Sequence, residues 1–266
     1  MSISTITTAR AGADTHVLST PGQLPGLGVL PINAFVLHAR EPVLVDTGLA
    51  ATASDFLQAL GALVDPADLR WIWITHADAD HVGALRLLLE AAPRARIVTN
   101  YLGLGKLALQ QLPVDRAYLI NPGQPLDVGD RQLLALRPPL YDAPETMGFL
   151  DMRTRQLFSS DAFGALLDRS YESAEAIAPA LLRERLHLWA TIDAPWLHPL
   201  GREGLVRAVR RVADLAPERI FSSHLPPASA AVSALLAHLA EADTAVPFVG
   251  PDQAALEASV AELTAA

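Results

Sequence analysis

Residues 71–83 read WIWITHADADHVG, an apolar run followed at once by two histidines and two aspartates. The alternation of tryptophan and isoleucine predicts a buried strand over 71–75. In α/β sheets, ligands bind beyond the carboxyl ends of such strands, where the loops converge. The segment 76–81 therefore predicts a binding site at the edge of a sheet.

Three other predicted strands also end in an aspartate or a histidine. Asp46 closes PVLVDTG, Asp161 follows LFSS, and His224 follows IFSS. One such aspartate could simply cap the next helix, and capping is the alternative interpretation for Asp80. Converging carboxylates repel one another and lose hydration, so a cation must hold them together. The oxygen-rich donor set favours iron or manganese over zinc.

Strand-like and helix-like segments alternate along the chain. Strands are predicted at 34–38, 42–46, 71–75, 95–99, 131–136, 156–160 and 219–223, and helices at 53–63, 82–92, 173–190, 204–215, 228–240 and 252–263. This pattern predicts an α/β fold with helices covering the sheet faces. We expect a single domain over 1–266, with a catalytic core at about 30–230 and a C-terminal helical segment at 228–266.

The Pro/Gly-rich segment 19–33, STPGQLPGLGVLPIN, is predicted to be a surface loop, because it cannot be a regular strand or helix throughout. The alternative interpretation is a flexible flap beside a site.

The amino-acid composition argues against several classes of function for this protein. The 266 residues are 51% hydrophobic and 18% charged, with a formal net charge of −9, which argues against a nucleic-acid or anionic membrane surface. There is no cysteine, so disulfides, thiolate metal sites and thiol nucleophiles are excluded. No signal peptide or membrane-spanning run is evident, and we expect a cytoplasmic protein.

Three segments carry a family resemblance. THADADHVG resembles the metallo-β-lactamase superfamily signature H-x-[H/E/D]-x-D-H, and VLVDTG resembles the Asp-Thr-Gly strand end of that fold. The later segment APETMGFLDMRTRQLFSSDAFG, at 143–164, resembles the flavodiiron branch. The resemblance covers about residues 30–230. It implies an αββα sandwich with a dinuclear metal site in a groove at the sheet edges.

The resemblance also implies roles for individual positions. One metal ion would be held by His76, Asp78 and Asp142, a second by Asp80, His81 and His224, with Asp161 bridging both. Asp46 would orient a ligand, and Asp80 and Tyr171 are the candidate catalytic side chains.

Three of these assignments have an alternative or a departure. Asp78 stands where hydrolases have histidine and flavodiiron proteins have glutamate, and Asp142 stands where the family has histidine. Tyr141 is the alternative ligand to Asp142, and in flavodiiron relatives the His81 position is sometimes withdrawn from the metal. Four carboxylates and three imidazoles predict a lower reduction potential than in an ordinary flavodiiron centre. The opposite interpretation is a degenerate, metal-poor site.

The function implied by the resemblance is a dinuclear non-haem iron protein that reacts with or senses oxygen, nitric oxide or peroxide. Manganese or zinc are the other candidate metals. A diiron oxidoreductase would depend on a separate electron-donor protein, since 228–266 contains no phosphate-binding loop and FMN is not expected on this chain. A homodimer is compatible with this interpretation. The alternatives are a metal-dependent hydrolase that uses a metal-bridging hydroxide, and a non-enzymatic scaffold in which metal only fixes the loops.

Overall fold

Two β-sheets face each other in the computed structural model, which describes residues 2–3, 5–255 and 257. The first sheet contains β1 (Ser2–Ile3), β2 (Thr7–Arg10), β3 (Thr15–Leu24), β4 (Gly28–Leu37), β5 (Val43–Val45), β6 (Trp71–Trp73), β7 (Arg96–Thr99) and β8 (Ala117–Leu119). Its order is β1-β3-β4-β5-β6-β7-β8, with β2 also paired to β3. Strands β5 to β8 run parallel to one another.

The second sheet contains β9 (Pro125–Asp127), β10 (Gln132–Leu136), β11 (Gly148–Asp151), β12 (Gln156–Phe158) and β13 (Arg219–Phe221). Its order is β13-β12-β11-β10-β9, and β12 and β13 pair in parallel while the other pairs are antiparallel. Each sheet thus has a parallel pair whose carboxyl ends face the same edge, β5 with β6 and β12 with β13.

Large aromatic side chains fill the space between the sheets. Trp73 lies 4.6 Å from Phe149 between ring centres, and Phe149 lies 4.4 Å from Phe158. These rings are buried together with Phe35 and Phe221. The inward positions of both sheets therefore form one continuous apolar layer, which fixes the two sheets against each other.

Helices cover both outer faces. On the first sheet lie α1 (Ala53–Gly61), α2 (Ala79–Val82), α3 (Leu85–Ala91) and α4 (Tyr101–Leu109), and on the second lie α5 (Pro179–Asp193), α6 (Leu197–Ala213) and α7 (Val232–Leu239). The layers form an αββα sandwich, which confirms the predicted fold class. All seven predicted strands contain an observed strand. The predicted helix over 252–263 lies largely outside the described residues.

The prediction of a loop over 19–33 is wrong. Residues of this segment form most of the β3–β4 hairpin, which turns at 25–27, and Pro21 pairs with Pro31 in its register. Pro21 falls between the stretches of β3 that pair with β2 and β1, and β4 pairs with β5 only from Phe35 onward. The missing proline N–H groups therefore remove no hydrogen bond to a strand on the outer side, so both prolines are tolerated.

Strand β4 also anchors the loop that follows β13. The Asn33 amide donates to the carbonyls of Ser222 (3.0 Å) and Leu225 (2.8 Å), and its backbone N–H donates to the carbonyl of Ser223. These bonds fix the chain on both sides of His224. Among the described residues, the helices are too short or too polar to cross a lipid bilayer.

Candidate metal centre

The carboxyl ends of β5, β6, β12 and β13 deliver acidic and imidazole side chains to one groove. Asp161, which follows β12, lies at its centre. One of its oxygens, Oδ1, is 3.3 Å from His81 Nε2 and 3.4 Å from His224 Nε2, while Oδ2 is 3.4 Å from His76 Nε2. Asp80 Oδ2 lies 3.6 Å from His81 Nε2 and 3.5 Å from His224 Nε2. A single carboxylate thus faces three imidazoles.

The other side of the groove is more open. His76 Nε2 lies 3.9 Å from Asp78 Oδ2 and 3.8 Å from Asp142 Oδ2. His76 itself is buried, but the side chains of Asp78 and Asp142 are 50% and 27% exposed. The structure therefore brings together all seven residues named as ligands from the sequence, in overlapping groups of three whose ligand atoms lie within 4.8 Å of one another. Metal binding by these residues stays a prediction.

Hydrogen bonds hold two of the imidazoles in a fixed orientation. Asp46 Oδ2 lies 2.9 Å from His81 Nδ1, and Asp46 also accepts from the Thr75 backbone N–H (2.9 Å) and hydroxyl (2.8 Å). His224 Nδ1 donates to the Pro31 carbonyl at 2.7 Å. When Nδ1 carries the proton, the lone pair of Nε2 points into the groove, which is the form that binds a metal. Asp46 thus lies where it can orient His81, as predicted.

Buried atoms in the groove are left without partners. Neither His81 Nε2 nor Asp161 Oδ1 has a hydrogen-bond partner among the described residues, although both are buried. Leaving a buried polar atom unpaired costs about 1–3 kcal/mol. A metal ion would satisfy both atoms at once, and imidazole nitrogen with carboxylate oxygen is a donor set that suits iron, manganese or zinc. The residues present therefore fit a metal centre.

The charges in the groove shift several pKa values. Burial lowers the pKa of His224, but Asp161 and Asp80 outweigh it and raise this pKa to about 9. For His81 burial acts in the same way, and Asp161, Asp80 and Asp46 bring its pKa well above the usual value. Burial raises the pKa of Asp161, but the three imidazoles, His76 first, bring it well below its usual range. The metal-free groove thus holds protons on nitrogens that a metal ion needs, so metal and protons compete.

Asp193 is a member of this groove that the sequence did not reveal. It is the last residue of α5, and its carboxylate lies with those of Asp142 and Asp161 in a group whose ligand atoms are within 4.8 Å of one another. Burial, followed by Asp161 and Asp142, raises the pKa of Asp193 well above the usual value. Burial also raises the pKa of Asp142. Asp193 follows no strand and belongs to no motif, so only the packing of α5 places it here.

Trp189 is a second residue that the sequence did not reveal. Its indole N–H donates to the Asp161 carbonyl at 3.0 Å, and its ring centre lies 4.8 Å from that of His224. Gly164 makes this contact possible, because a Cβ at that position would lie 2.5 Å from Trp189 Nε1 and 2.9 Å from His224 Cβ. The glycine of DAFG is therefore required by the packing of Trp189 beside the groove.

Tyr171 does not point at the acidic groove. Its hydroxyl donates to Asp168 Oδ1 at 2.9 Å, and the Arg169 guanidinium lies 4.6 Å from its ring centre. It lines a separate cavity of about 750 Å³ beside the β3–β4 hairpin. The contacts of Tyr171 give no support to the predicted catalytic role.

The remaining alternatives concern Asp142 and Asp80. The Tyr141 carbonyl accepts from Trp196 Nε1 at 2.7 Å and its ring packs against Trp196, so Asp142 is the neighbour that faces His76. Asp78, not Asp80, occupies the N-cap position of α2, and no side chain caps that helix. Capping therefore does not explain Asp80.

Three residues near the strand ends have a positive φ, in the left-handed region, although none of them is glycine. Asp46 has a φ of 57°, Ser160 of 53° and Phe163 of 68°. Asp46 follows β5, Ser160 directly precedes Asp161, and Phe163 lies two residues after it. The corners that present the carboxylates therefore depend on a backbone conformation that most residues avoid.

Comparisons with known proteins agree with the fold. Residues 27–224 match the model of the metallo-beta-lactamase superfamily. An uncharacterized protein of Methanocaldococcus jannaschii is 28% identical over 193 residues, 72% of this chain and 48% of that protein. The anaerobic nitric oxide reductase flavorubredoxin of Pectobacterium atrosepticum is 31% identical over 134 residues, 50% of this chain and 26% of that protein.

Solved structures share the fold. Rubredoxin oxygen:oxidoreductase from Desulfovibrio gigas superposes with a TM-score of 0.78 at 20% identity, covering 89% of this chain and 62% of that one. The flavodiiron protein from Giardia intestinalis gives a TM-score of 0.76 at 16% identity, covering 89% of this chain and 58% of that one. The chain thus spans about half of the first curated relative and about a quarter of the flavorubredoxin.

Proposed function

Because the chain belongs to the metallo-β-lactamase superfamily, we propose that its groove holds two metal ions, with iron as the first candidate. We further propose that the protein reacts with or senses a small oxidant such as oxygen, nitric oxide or peroxide. The observation that carries the proposal is the position of Asp161, whose two oxygens face separate sets of imidazoles within 3.4 Å. In this proposal Asp161 is the residue that both ions would share.

The proposed ligands fall into two sets. His81, His224 and Asp80 would hold one ion, and His76, Asp78 and Asp142 the other, with Asp161 shared. When bound, a pair of iron ions supplies electrons one at a time to a molecule in the groove. Oxygen-rich donors suit iron and manganese better than zinc, which remains the third candidate. Two of the similar proteins, a nitric oxide reductase and a rubredoxin oxygen:oxidoreductase, support the redox interpretation by their names.

The chain's own residues orient the donors and control access. Asp46 and the Pro31 carbonyl fix the rings of His81 and His224, while the Trp189 ring packs against His224. Asp78 is the most exposed member of the set, so a small molecule would enter on its side. Asp80, 26% exposed and facing two imidazoles, is positioned to accept or deliver a proton at the mouth of the groove.

The proposal also includes a source of electrons for the metal centre. We expect a separate electron-donor protein, and a homodimer is compatible with this arrangement. Because carboxylates stabilise the more highly charged state of a metal, we also expect a lower reduction potential than in centres that have more imidazole ligands. A redox titration that gave an equal or higher potential would contradict this expectation.

The test is to load metal-free protein with iron, manganese or zinc and to measure bound metal by mass spectrometry beside the visible spectrum. We expect two irons per chain, with ferric absorption that bleaches on reduction and returns with the oxidant. Two zincs with turnover of a thioester, lactone or phosphodiester would instead establish the hydrolase alternative. Failure to retain any of the three metals would overturn both.

A further inference from the structure

Glu145 is a fully buried carboxylate that the proposed function does not use. It lies three residues after Asp142, in the connection between β10 and β11, and its side chain is 0% exposed. Its Oε1 lies 2.7 Å from Lys106 Nζ, although the geometry of this contact is not that of a hydrogen bond, and its Oε2 has no hydrogen-bond partner among the described residues. A buried carboxylate is strongly disfavoured unless a cation compensates it. The ionised form of Glu145 therefore depends on its ion pair with Lys106.

Lys106 is the one residue that supplies this charge. It is the only lysine in the sequence, and it lies on α4 with 40% of its side chain exposed. Within the described part of the chain, no arginine or histidine lies close enough to form a second ion pair with Glu145. Without the ammonium group, the carboxylate would have to take up a proton or move to water.

Helix α4 contacts both segments that supply the His76 side of the groove, which consists of His76, Asp78 and Asp142. Asn100, the N-cap residue of α4, donates through its side-chain amide to the Glu145 carbonyl at 2.7 Å. Gln110, the C-cap residue, donates through its side-chain amide to the carbonyl of Ala77 at 2.6 Å. One helix thus holds the two segments in their relative positions.

The path from Glu145 to Asp142 is a single compact turn. The Thr146 hydroxyl donates to Asp142 Oδ1 at 3.3 Å, and the Thr146 backbone N–H donates to the carbonyl three residues earlier at 3.1 Å. The next residue, Met147, donates its backbone N–H to the Thr75 carbonyl at the end of β6, at 2.8 Å. Movement of Glu145 towards water would therefore disturb the turn that carries Asp142.

We propose that Lys106 is a positioning residue, whose charge keeps Glu145 in the interior and thereby keeps Asp142 opposite His76. Its consequence for metal binding rests on the proposed function, whereas the positioning itself belongs to the metal-free chain. The effect should be confined to the His76 side, because other segments fix His81 and His224.

The experiment compares the wild-type chain with Lys106→Met, Lys106→Arg and the double variant Lys106→Met with Glu145→Gln. Arg94→Met is the matched control, because it breaks an ion pair with Asp68 in which both side chains are exposed, by 57% and 66%. Hydrogen exchange of the Thr146 and Met147 amides is followed by nuclear magnetic resonance in the metal-free proteins. Each protein is then loaded anaerobically with ferrous iron, bound iron is counted after desalting, and affinity is measured by chelator competition.

We expect both amides to exchange at least about tenfold faster in Lys106→Met than in the wild type, because a buried carboxylate has lost its partner. Lys106→Arg keeps the charge, so it and the control should exchange at close to the wild-type rate. The double variant should exchange more slowly than Lys106→Met, since it contains no uncompensated carboxylate. A role in packing alone would make the double variant at least as loose as the single one.

After loading, Lys106→Met should bind one of its two irons about 10–100-fold more weakly, as expected when a residue that supports a ligand is lost. The affinity for the other iron should stay at the wild-type value. Equal weakening of both ions would contradict an effect confined to the His76 side.

The single lysine also allows a test without a mutation. Acetylation removes the charge of Lys106 in the wild type, and the Lys106→Arg protein, treated in the same way, controls for reaction at the N-terminal amine. The acetylated wild type should match Lys106→Met in the exchange of both amides.

The exchange and metal measurements separate the inference from the proposed function. Wild-type exchange rates in Lys106→Met would overturn the inference, whatever the metal content. Faster exchange in a protein whose wild type retains no iron, manganese or zinc would support the positioning by Lys106 and overturn the proposed function. Faster exchange together with weaker binding of one iron would support both.

Discussion

The two sides of the groove use similar donors but hold them differently. On the first side, His81 and His224 are 2% exposed at their side chains, and each Nδ1 bonds to a fixed acceptor, Asp46 or the Pro31 carbonyl. On the second side, His76 is equally buried, but its Nδ1 meets only hydroxyl groups, those of Ser160 and Thr75, at 3.2–3.3 Å. The first side is thus preorganised, and the second is adaptable.

This difference follows from the elements that supply the residues. The first side takes its imidazoles from segments bonded to the body of the sandwich, since Asn33 fixes the His224 loop and Thr47 bonds to the His81 carbonyl. The second side takes Asp142 from the connection between β10 and β11, where the carboxylate is partly exposed. We therefore expect the first side to bind its metal more tightly and the second to exchange ligands.

The largest effect is expected from replacing Asp161, the residue that both sides of the groove share. Asp161→Ala should abolish tight binding at both sides, because the three buried imidazoles would lose their common carboxylate. Metal analysis after desalting should show no retained iron, and circular dichroism should show whether the fold survives. Retention of one ion would mean that Asp161 serves one side only. Asp168→Asn, outside the groove, is the control.

The second-largest effect is expected from a change of pH, which acts on the first side through His224. The pKa of His224 is raised to about 9 in the metal-free protein. Its contribution to stability is therefore fully present below the unfolded pKa of about 6.5 and is lost as the pH rises to about 9, by at most about 3 kcal/mol. Metal competes with that proton, so loading should raise the melting temperature more at pH 9 than at pH 6.5. A gain that does not depend on pH would contradict the proton competition.

Replacing Asp46, which accepts from His81 on the first side, should have a smaller effect on metal binding. In Asp46→Asn the carboxylate that accepts from His81 Nδ1 becomes an amide, so the ring loses its fixed orientation. Loss of such a supporting partner lowers metal affinity by about 10–100-fold. Chelator competition should find this loss for one ion of the two, with the exposed Asp115→Asn as control. Equal loss of both ions would show that the sides are not independent.

The smallest effect is expected on the exposed rim of the second side. Asp78 is 50% exposed at its side chain, so water can replace it. Asp78→Asn should therefore weaken the binding of one ion by no more than about fivefold, which corresponds to the ~1 kcal/mol that exposed charges contribute. Titration with manganese, followed by electron paramagnetic resonance, would measure it. An effect as large as that of Asp46→Asn would reverse the order of the two sides.

The sequence predicted the strand ends of the groove because those positions carry their own signal. An apolar run that stops at Asp or His, as at Asp46, Asp161 and His224, marks the edge of a sheet, and four such corners converge in the structure. The α/β class was predicted from the alternation of strand-like and helix-like segments, and the αββα layering was implied by the family resemblance. These features depend on sequence patterns within single segments, and the folded chain keeps the secondary structure that those patterns predict.

What could not be predicted depends on tertiary packing. Asp193 and Trp189 reach the groove only because α5 packs on the second sheet, and nothing within the segment itself signals that position. The β3–β4 hairpin was missed because Pro21 and Pro31 suggest a loop, and only the gaps in pairing on their outer sides make the strands acceptable. The catalytic role of Tyr171 stays a prediction, because a motif does not determine the direction of a side chain that lies beyond it.

The left-handed angles at Asp46, Ser160 and Phe163 have a consequence for how this scaffold can change. Each costs about 1 kcal/mol or more, and the surrounding fold bears that cost whether or not a ligand is present. The shape of the cleft is therefore settled during folding. Evolution can exchange the groups that line it, carboxylate for imidazole or the reverse, and so alter its chemistry without rebuilding the bends that carry them.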